Sequence, residues 1–341
     1  MTVVIIDVFG LNGGAEKVML NTYNSLKQKN RVICYLPKGS FITSHIEEKD
    51  LFEFSSIGEI IGLIKKHDPS KIILNNKASL KLLIPLKLSC WNAKYYYHSH
   101  GYFRNILEKL IYTFFFLPLL TKTICVSKSV VKNHNSLTFK KEKHILLYNG
   151  FNFSTVKKRD SDNSFINIFF WAQFREWKGH LFLLEIIRKI KNPRVKFNFV
   201  ASIQDNESKN LLKSVKEKIF DYNIEHKINF YLNCPDYLDI INSNADISLS
   251  CSQLKDPLPT IIIESLSMGI PILATNIGGS SEILKEYPEM LSGSSEKDFL
   301  KNLNSLIHSY DQINKEDLKT LYKDKFSLNR YSNSINEIIN T

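Results

Sequence analysis

A chain of 341 residues, 43% hydrophobic and 12% aromatic, is long enough for about two domains with a substantial core in each. Its 45 basic and 34 acidic side chains leave a formal charge of +11, which points to an anionic partner: nucleic acid, a membrane surface or a phosphorylated substrate. The sequence has no basic low-complexity tail, no zinc-like cysteine spacing and no Lys/Arg run longer than three residues, so nucleic acid is the weakest of these partners.

The run VVIID over 3–7 predicts a strand buried on both faces of a parallel sheet. It lacks the basic n-region and cleavage site of a signal peptide, so a cytoplasmic location is expected. The five cysteines, Cys34, Cys90, Cys125, Cys234 and Cys251, are scattered and odd in number, as free thiols in a reducing compartment are. A glycine turn at Gly13-Gly14 and a helix with apolar residues at Val18, Leu20, Tyr23 and Leu26 follow the first strand. Glu16 falls in the first turn of that helix, where a carboxylate also complements the dipole. Strand and helix patterns then alternate through RVICYLP, SIGEIIGLIKKHDP, KIILNN, ASLKLLIPLKLSC, AKYYYHSHG and KTICVS, the rhythm of a Rossmann-like α/β domain. His98 and His100 end a strand at alternating positions, on the edge where such sheets gather ligands. No third ligand stands near them, so a metal role is not expected.

Residues 94–143 hold nine Lys or Arg against Glu108 and Glu142, and the same region contains LIYTFFFLPLL. That apolar run is too short to span a bilayer, which takes about twenty residues. Two readings stay open for 105–120: a helix of the first domain's core, or an interfacial helix whose aromatic face dips into an anionic leaflet.

The polar stretch STVKKRDSDNS over 154–164 predicts a linker, and FINIFFWAQFREWKGH restarts the strand–loop–helix pattern. Arg175 and Lys178 precede a helix N-terminus there, a cradle for a diphosphate. The densest stretch is SCSQLKDPLPTIIIESLSMGIPILATNIGGSSE over 250–282. The PLPT turn puts Asp256 on a loop, and a buried helix is predicted from Thr260 to the C′ glycine Gly269. A strand, IPILAT, and the turn NIGGSSE follow. Helices that begin just after such turns present free N–H groups and a positive dipole end to a phosphate. Glu264 lies about one turn into the helix from Thr260, and its carboxylate and that of Asp256 converge on hydroxyls beside such a phosphate. The predicted ligand is a phosphorylated sugar. Helices are also expected near 295–309 and 327–339.

This segment resembles the signature of the large family 4 of retaining GT-B glycosyltransferases: two carboxylates eight positions apart, then a Gly, Pro, Ala-Thr and Gly-Gly pattern. Glu264, Gly269, Pro271, Ala274, Thr275, Gly278, Gly279 and Glu282 match it, and Asp256 stands in place of the first Glu. GGAEKVMLN is similar to the family's opening motif, the His-Gly at His100-Gly101 to its strand-end histidine, and Asn149-Gly150 to its interdomain junction. The family's G-R-x-x-x-x-K-G motif is matched by Lys178 and Gly179, but Ala172 and Gln173 replace its Gly and Arg. Arg175 is the residue within reach to substitute for that arginine.

The resemblance implies a GT-B fold, two Rossmann-like domains facing an interdomain cleft. The expected divisions are an acceptor domain over 1–153, a nucleotide-sugar domain over 154–320 and a C-terminal helix over 321–341 that packs back on the first domain. It implies a retaining, metal-independent, hexosyltransferase-type enzyme that uses no cofactor and moves sugar from a nucleoside diphosphate sugar to a glycan acceptor. That acceptor is expected to be lipid-linked, in surface polysaccharide or lipopolysaccharide synthesis at the inner face of a membrane. Asp256, His100, Lys178 and Arg175 would carry the chemistry. Glu264 would bind the ribose, with Gly13, Gly14, Gln173, Leu258 and Thr260 also on the donor, while His98 and Glu16 would meet donor sugar or acceptor. Two alternatives stay open: a catalytically degenerate scaffold subunit of a polysaccharide assembly complex, and a sugar-nucleotide epimerase.

Overall fold

The computed structural model describes residues 1–10, 14–153, 164–203 and 205–341. Gly13 and all of the predicted linker except Ser164 lie outside the described residues. The chain forms two compact units, Met1–Asn152 with Lys325–Thr341, and Phe153–Asp324.

The first unit is built on seven parallel strands: β1 (Thr2–Ile6), β2 (Arg31–Pro37), β3 (Leu51–Phe54), β4 (Lys71–Leu74), β5 (Lys94–Ser99), β6 (Lys122–Cys125) and β7 (His144–Leu146). Their order is β3-β2-β1-β4-β5-β6-β7, so the winding reverses between β1 and β4. The apolar run of β1 serves two cores at once. Val4 and Ile6 pack into one cluster and Val3 and Ile5 into the other, because successive side chains of a strand alternate between faces. The helix Leu328–Asn340 covers the second cluster with Tyr331, Ile335 and Ile339. It is fixed to the helix Gly14–Leu26 by a 2.5 Å hydrogen bond between the Tyr331 and Thr22 hydroxyls and by Asn336 Nδ2 donating to Ser25 O at 3.0 Å. Gly150 is required beneath it, since a Cβ there would sit 2.2 Å from Tyr331 Cβ.

The second unit has six parallel strands: β8 (Ile166–Trp171), β9 (Val195–Ala201), β10 (Ile228–Leu232), β11 (Ile247–Ser250), β12 (Ile272–Thr275) and β13 (Leu291–Ser292). Their order is β10-β9-β8-β11-β12-β13, with the reversal between β8 and β11. The helix Thr260–Met268 is buried from Ile261 to Met268. Its aliphatic side chains each contribute about 1.5–3 kcal/mol by leaving water. Ser265 permits its close approach to β11, where its hydroxyl lies 2.6 Å from that of Ser248.

Two local features differ from what the sequence predicts. The turn NIGGSSE is followed by only four helical residues, Ser280–Ile283, and the Gly279 N–H that would have faced a phosphate donates to Asp256 O at 2.8 Å. The segment LIYTFFFLPLL buries Tyr112 and Leu117 but leaves Ile111, Phe114 and Phe115 exposed. Its inward face is held by Tyr112, whose hydroxyl bonds Thr123 Oγ1 at 2.6 Å and His144 Nε2 at 2.8 Å.

Candidate functional site

In the second unit the loops that leave β8 and β11 flank the winding reversal, the place where an open parallel sheet binds ligands. They are tied together by Gln253 N–H donating to Trp177 O at 2.7 Å. Gly179, at φ +85, runs against the other loop so closely that a Cβ would meet Cys251 O at 2.0 Å. That contact delivers Lys178 to Asp256, with Nζ 2.7 Å from Oδ2. Both side chains are largely buried, and Lys178 Nζ also lies 4.1 Å from the centre of the Trp177 ring. On its other side the Asp256 loop rests on glycine backbone. A Cβ on Gly278 (φ +66) would be 2.3 Å from Asp256 O, and one on Gly279 would be 2.3 Å from Pro257 O. Here the Gly-Gly pair shapes the carboxylate's loop and does not itself face a phosphate.

The helix Thr260–Met268 starts directly after that loop, with Pro259 at the N-cap and no side chain capping it. Its first N–H groups and positive dipole end favour an anion. Thr260 is half-buried and Leu258 buried. Glu264 is buried, accepts from Trp171 Nε1 through Oε2, and receives the Tyr237 hydroxyl at 3.5 Å on Oε1. Burial, and then the Glu264 charge, push the Tyr237 phenol well above its ordinary range, so it stays a proton donor. Trp171 and Tyr237 were not anticipated from sequence. A Trp as the last residue of a buried strand, whose N–H must find an acceptor, was the available signal.

Arg175 is engaged elsewhere. Its guanidinium makes hydrogen bonds of 3.1 and 2.5 Å to the two Asp205 oxygens and lies 3.5 Å from Glu207. This pairing raises the Arg175 pKa and holds the Asp205 carboxyl low. Asp205 caps the helix Asn206–Asp221, so Arg175 is committed to a helix N-terminus rather than sharing Asp256 with Lys178. Gln173 is exposed.

In the first unit, polar residues gather where β1, β4 and β5 end. Asp7, buried just past β1, accepts from Asn75 Nδ2 at 2.7 Å, Asn76 Nδ2 at 2.7 Å and the Phe9 N–H at 2.8 Å. With Nδ2 turned to the carboxylate, Asn75 presents Oδ1 to His100 Nε2 at 3.3 Å. An amide oxygen only accepts, so the network assigns the proton to Nε2 and leaves Nδ1 an acceptor without a partner among the described residues. Burial lowers the His100 pKa to about 4, against the opposing pull of Asp7. His98 is fully buried, with ring nitrogens that have no partner among the described residues. Its ring centre is 4.4 Å from that of His100, and burial followed by the His100 charge holds its pKa far down. Glu16 is buried in the first helical turn, and a Cβ on Gly14 would meet open space. The sequence does not single out Asp7, Asn75 and Asn76, which lie within two residues of the ends of the apolar strands β1 and β4.

Among the described residues no group of three or more His, Cys, Asp or Glu is arranged to hold a metal ion, and no helix is long and apolar enough to cross a membrane.

The family model described as Glycosyl transferases group 1 matches residues 153–323. The capsular polysaccharide biosynthesis glycosyltransferase CapH of Staphylococcus aureus is 27% identical, over 81% of this chain and 82% of that protein. HepE of Anabaena, solved in complex with UDP, superposes with a TM-score of 0.86 at 15% identity, covering all of both chains. The lipopolysaccharide outer core galactosyltransferase WaaB, in its apo form, gives 0.81 at 13% identity over 100% of this chain and 99% of that one. The two doubly wound units are therefore those of the GT-B fold, as the family resemblance implied.

Proposed function

The chain belongs to the glycosyl transferases group 1 family, and from that premise we propose that it moves a hexosyl group from a nucleoside diphosphate sugar to a glycan acceptor in surface polysaccharide assembly. Transfer proceeds with retention of anomeric configuration and without a metal ion. The observation that carries this reading is the Lys178–Asp256 pair, at 2.7 Å, beside the uncapped start of a nine-residue helix that holds Glu264.

The charges explain the assignment of roles. A departing nucleoside diphosphate gains negative charge, and the fixed positive groups at hand are the Lys178 ammonium and the N–H groups opening the helix at Thr260. Groups preorganised in this way lower the barrier because they need no reorientation during the reaction. In the absence of donor Asp256 neutralises Lys178; with diphosphate on Lys178, the Asp256 carboxylate turns to the sugar hydroxyls. Glu264, positioned by Trp171 and Tyr237, accepts from the ribose. Arg175 joins the diphosphate only by giving up Asp205, so Lys178 carries most of that contact. In the first unit His100, with His98 beside it, orients a sugar hydroxyl, Glu16 meets donor sugar or acceptor, and Gly14, where a Cβ would meet open space, lets the donor approach.

HepE was solved with UDP, and CapH bears the name of a capsular polysaccharide enzyme. These support a nucleotide sugar as donor and a cell-surface glycan as product. The acceptor we propose is lipid-linked, met at the cytoplasmic face of a membrane that the basic aromatic region 94–143 touches. The test is to supply nucleoside diphosphate sugars with lipid-linked acceptor, with and without EDTA, and to assign the product's anomeric configuration by NMR. An inverted product or loss of transfer in EDTA would overturn the mechanism. Nucleotide binding without any turnover would turn the reading to the degenerate scaffold.

A further inference from the structure

The first unit shows an exposed apolar surface that its fold does not use. The helix Ile106–Ile111 and the turn Tyr112–Phe116 that continues it carry apolar side chains in pairs four residues apart. Ile106, Leu107, Phe114 and Phe115 are 61%, 63%, 67% and 62% exposed. A surface helix ordinarily turns such a stripe to the core. This one cannot rotate, because Tyr112 is bonded to Thr123 and His144 and the Lys143 ammonium donates to the carbonyls of Leu117, Pro118 and Leu120. The helix Leu83–Ser89 packs against the turn Leu117–Leu119 that ends the segment. It repeats the pattern, with Ile84 and Leu88 exposed and Trp91, just beyond its end, 72% exposed. Exposed apolar side chains gathered on two segments that pack together are the mark of an interaction site.

Charge selects the occupant. Between residues 81 and 122 stand Lys81, Lys87, Lys94, Arg104, Lys109 and Lys122, against the single carboxylate of Glu108. A protein partner would have to be both apolar and acidic over this face, whereas an anionic bilayer offers both properties at one depth. We propose that these two helical segments form one interfacial docking face, with Leu88, Trp91, Phe114 and Phe115 entering the acyl boundary and the flanking cations on anionic headgroups. This deepens the peripheral membrane contact proposed above and rests on it. It extends that contact to residues 84–91, outside the basic stretch, and fixes which side of the unit meets lipid.

The experiment is co-sedimentation with vesicles of phosphatidylcholine alone and of equal parts phosphatidylcholine and phosphatidylglycerol. Binding is expected about tenfold tighter to the anionic vesicles and weaker in high salt. Trp91 emission should shift to the blue on binding, a signal missing in Trp91→Phe. Phe114→Ser with Phe115→Ser, and separately Lys81→Glu with Lys109→Glu, should each reduce binding about tenfold or more. Because all four side chains are at or near the surface, thermal stability and its increase with nucleoside diphosphate should be unchanged, which separates failure here from failure of the donor site. Equal binding to both vesicles, or binding untouched by the Phe114/Phe115 variant, would overturn the proposal. So would a dimer that this variant dissociates in a protein that ignores vesicles, which would assign the face to a second copy.

Discussion

Lys178 and Asp256 are 78 positions apart in the chain and 2.7 Å apart in space. The contact is made by two loops leaving neighbouring strands at the winding reversal of the second sheet. Glycine at 179 lets one loop approach, and glycines at 278 and 279 support the other. With 19% and 11% of the two side chains exposed, this is an ion pair that water screens poorly.

Removing one partner leaves the other charge buried without compensation. Lys178→Ala and Asp256→Ala should each cost about 1–3 kcal/mol of stability, and the double variant should cost clearly less than their sum. Urea unfolding of the three proteins measures the coupling. Strict additivity would mean that the pair contributes nothing as a pair.

Trp171→Phe keeps an aromatic ring at the end of β8 and removes one N–H from Glu264. A hydrogen bond to a charged group is worth about 1.5–3 kcal/mol, so nucleotide affinity should fall about ten- to hundredfold. In that background a further Glu264→Gln change should cost less than it does alone. Unaltered affinity in Trp171→Phe would show that Trp171 does not position Glu264.

Gly278→Ala places a methyl 2.3 Å from the Asp256 carbonyl at a positive φ. The backbone must shift, and a loss of about 1–3 kcal/mol is expected together with weaker donor binding. Gly62→Ala is the contrast, in the helix Ile57–Lys66 with nothing within 4 Å of its Cβ. It should stabilise by about 0.5–1 kcal/mol. Equal melting temperatures for Gly278→Ala and wild type would contradict the account of the Asp256 loop.

Several histidines are held neutral by burial, with pKa lowered to about 3 at His134 and His180 and to about 4 at His100 and His144. The unfolded chain takes these protons near pH 6.5, so from there down to about pH 4 it binds more protons than the folded protein. The sign follows: stability is complete above about pH 6.5 and falls on acidification, by up to about 1.4 kcal/mol per pH unit for each group. Urea midpoints at pH 7.5 and 5.5 should differ accordingly, and His180→Leu should flatten the slope. A midpoint independent of pH in this window would contradict the burial assigned to these rings.

The α/β class was legible because both sheets are wholly parallel, and their strands read as short apolar runs such as VVII and INIFF between helical patterns. The loop bearing Asp256 and the helix bearing Glu264 were legible for a similar reason: proline, a buried helix and a C′ glycine punctuate them. Partners contributed from far away were not. Nothing local to Trp171 announces Glu264, 93 positions on, and Asp7, Asn75 and His100 meet only because β1, β4 and β5 are neighbours in the sheet. Arg175 shows the opposite limit, since its position in a loop resembling a phosphate cradle gave no warning of Asp205. The outward face of Phe114 and Phe115 depends on the Tyr112 anchor, whose partners lie on other strands.

Lys178, Asp256 and Glu264 together form the proposed site for a nucleoside diphosphate sugar. Calorimetric titration of wild type and Glu264→Ala with UDP, GDP and ADP, with and without EDTA, tests this assignment most directly. Saturable binding of one of these nucleotides is expected, indifferent to EDTA and weakened about tenfold or more in Glu264→Ala. No binding of any of them, or equal affinity in the variant, would contradict it.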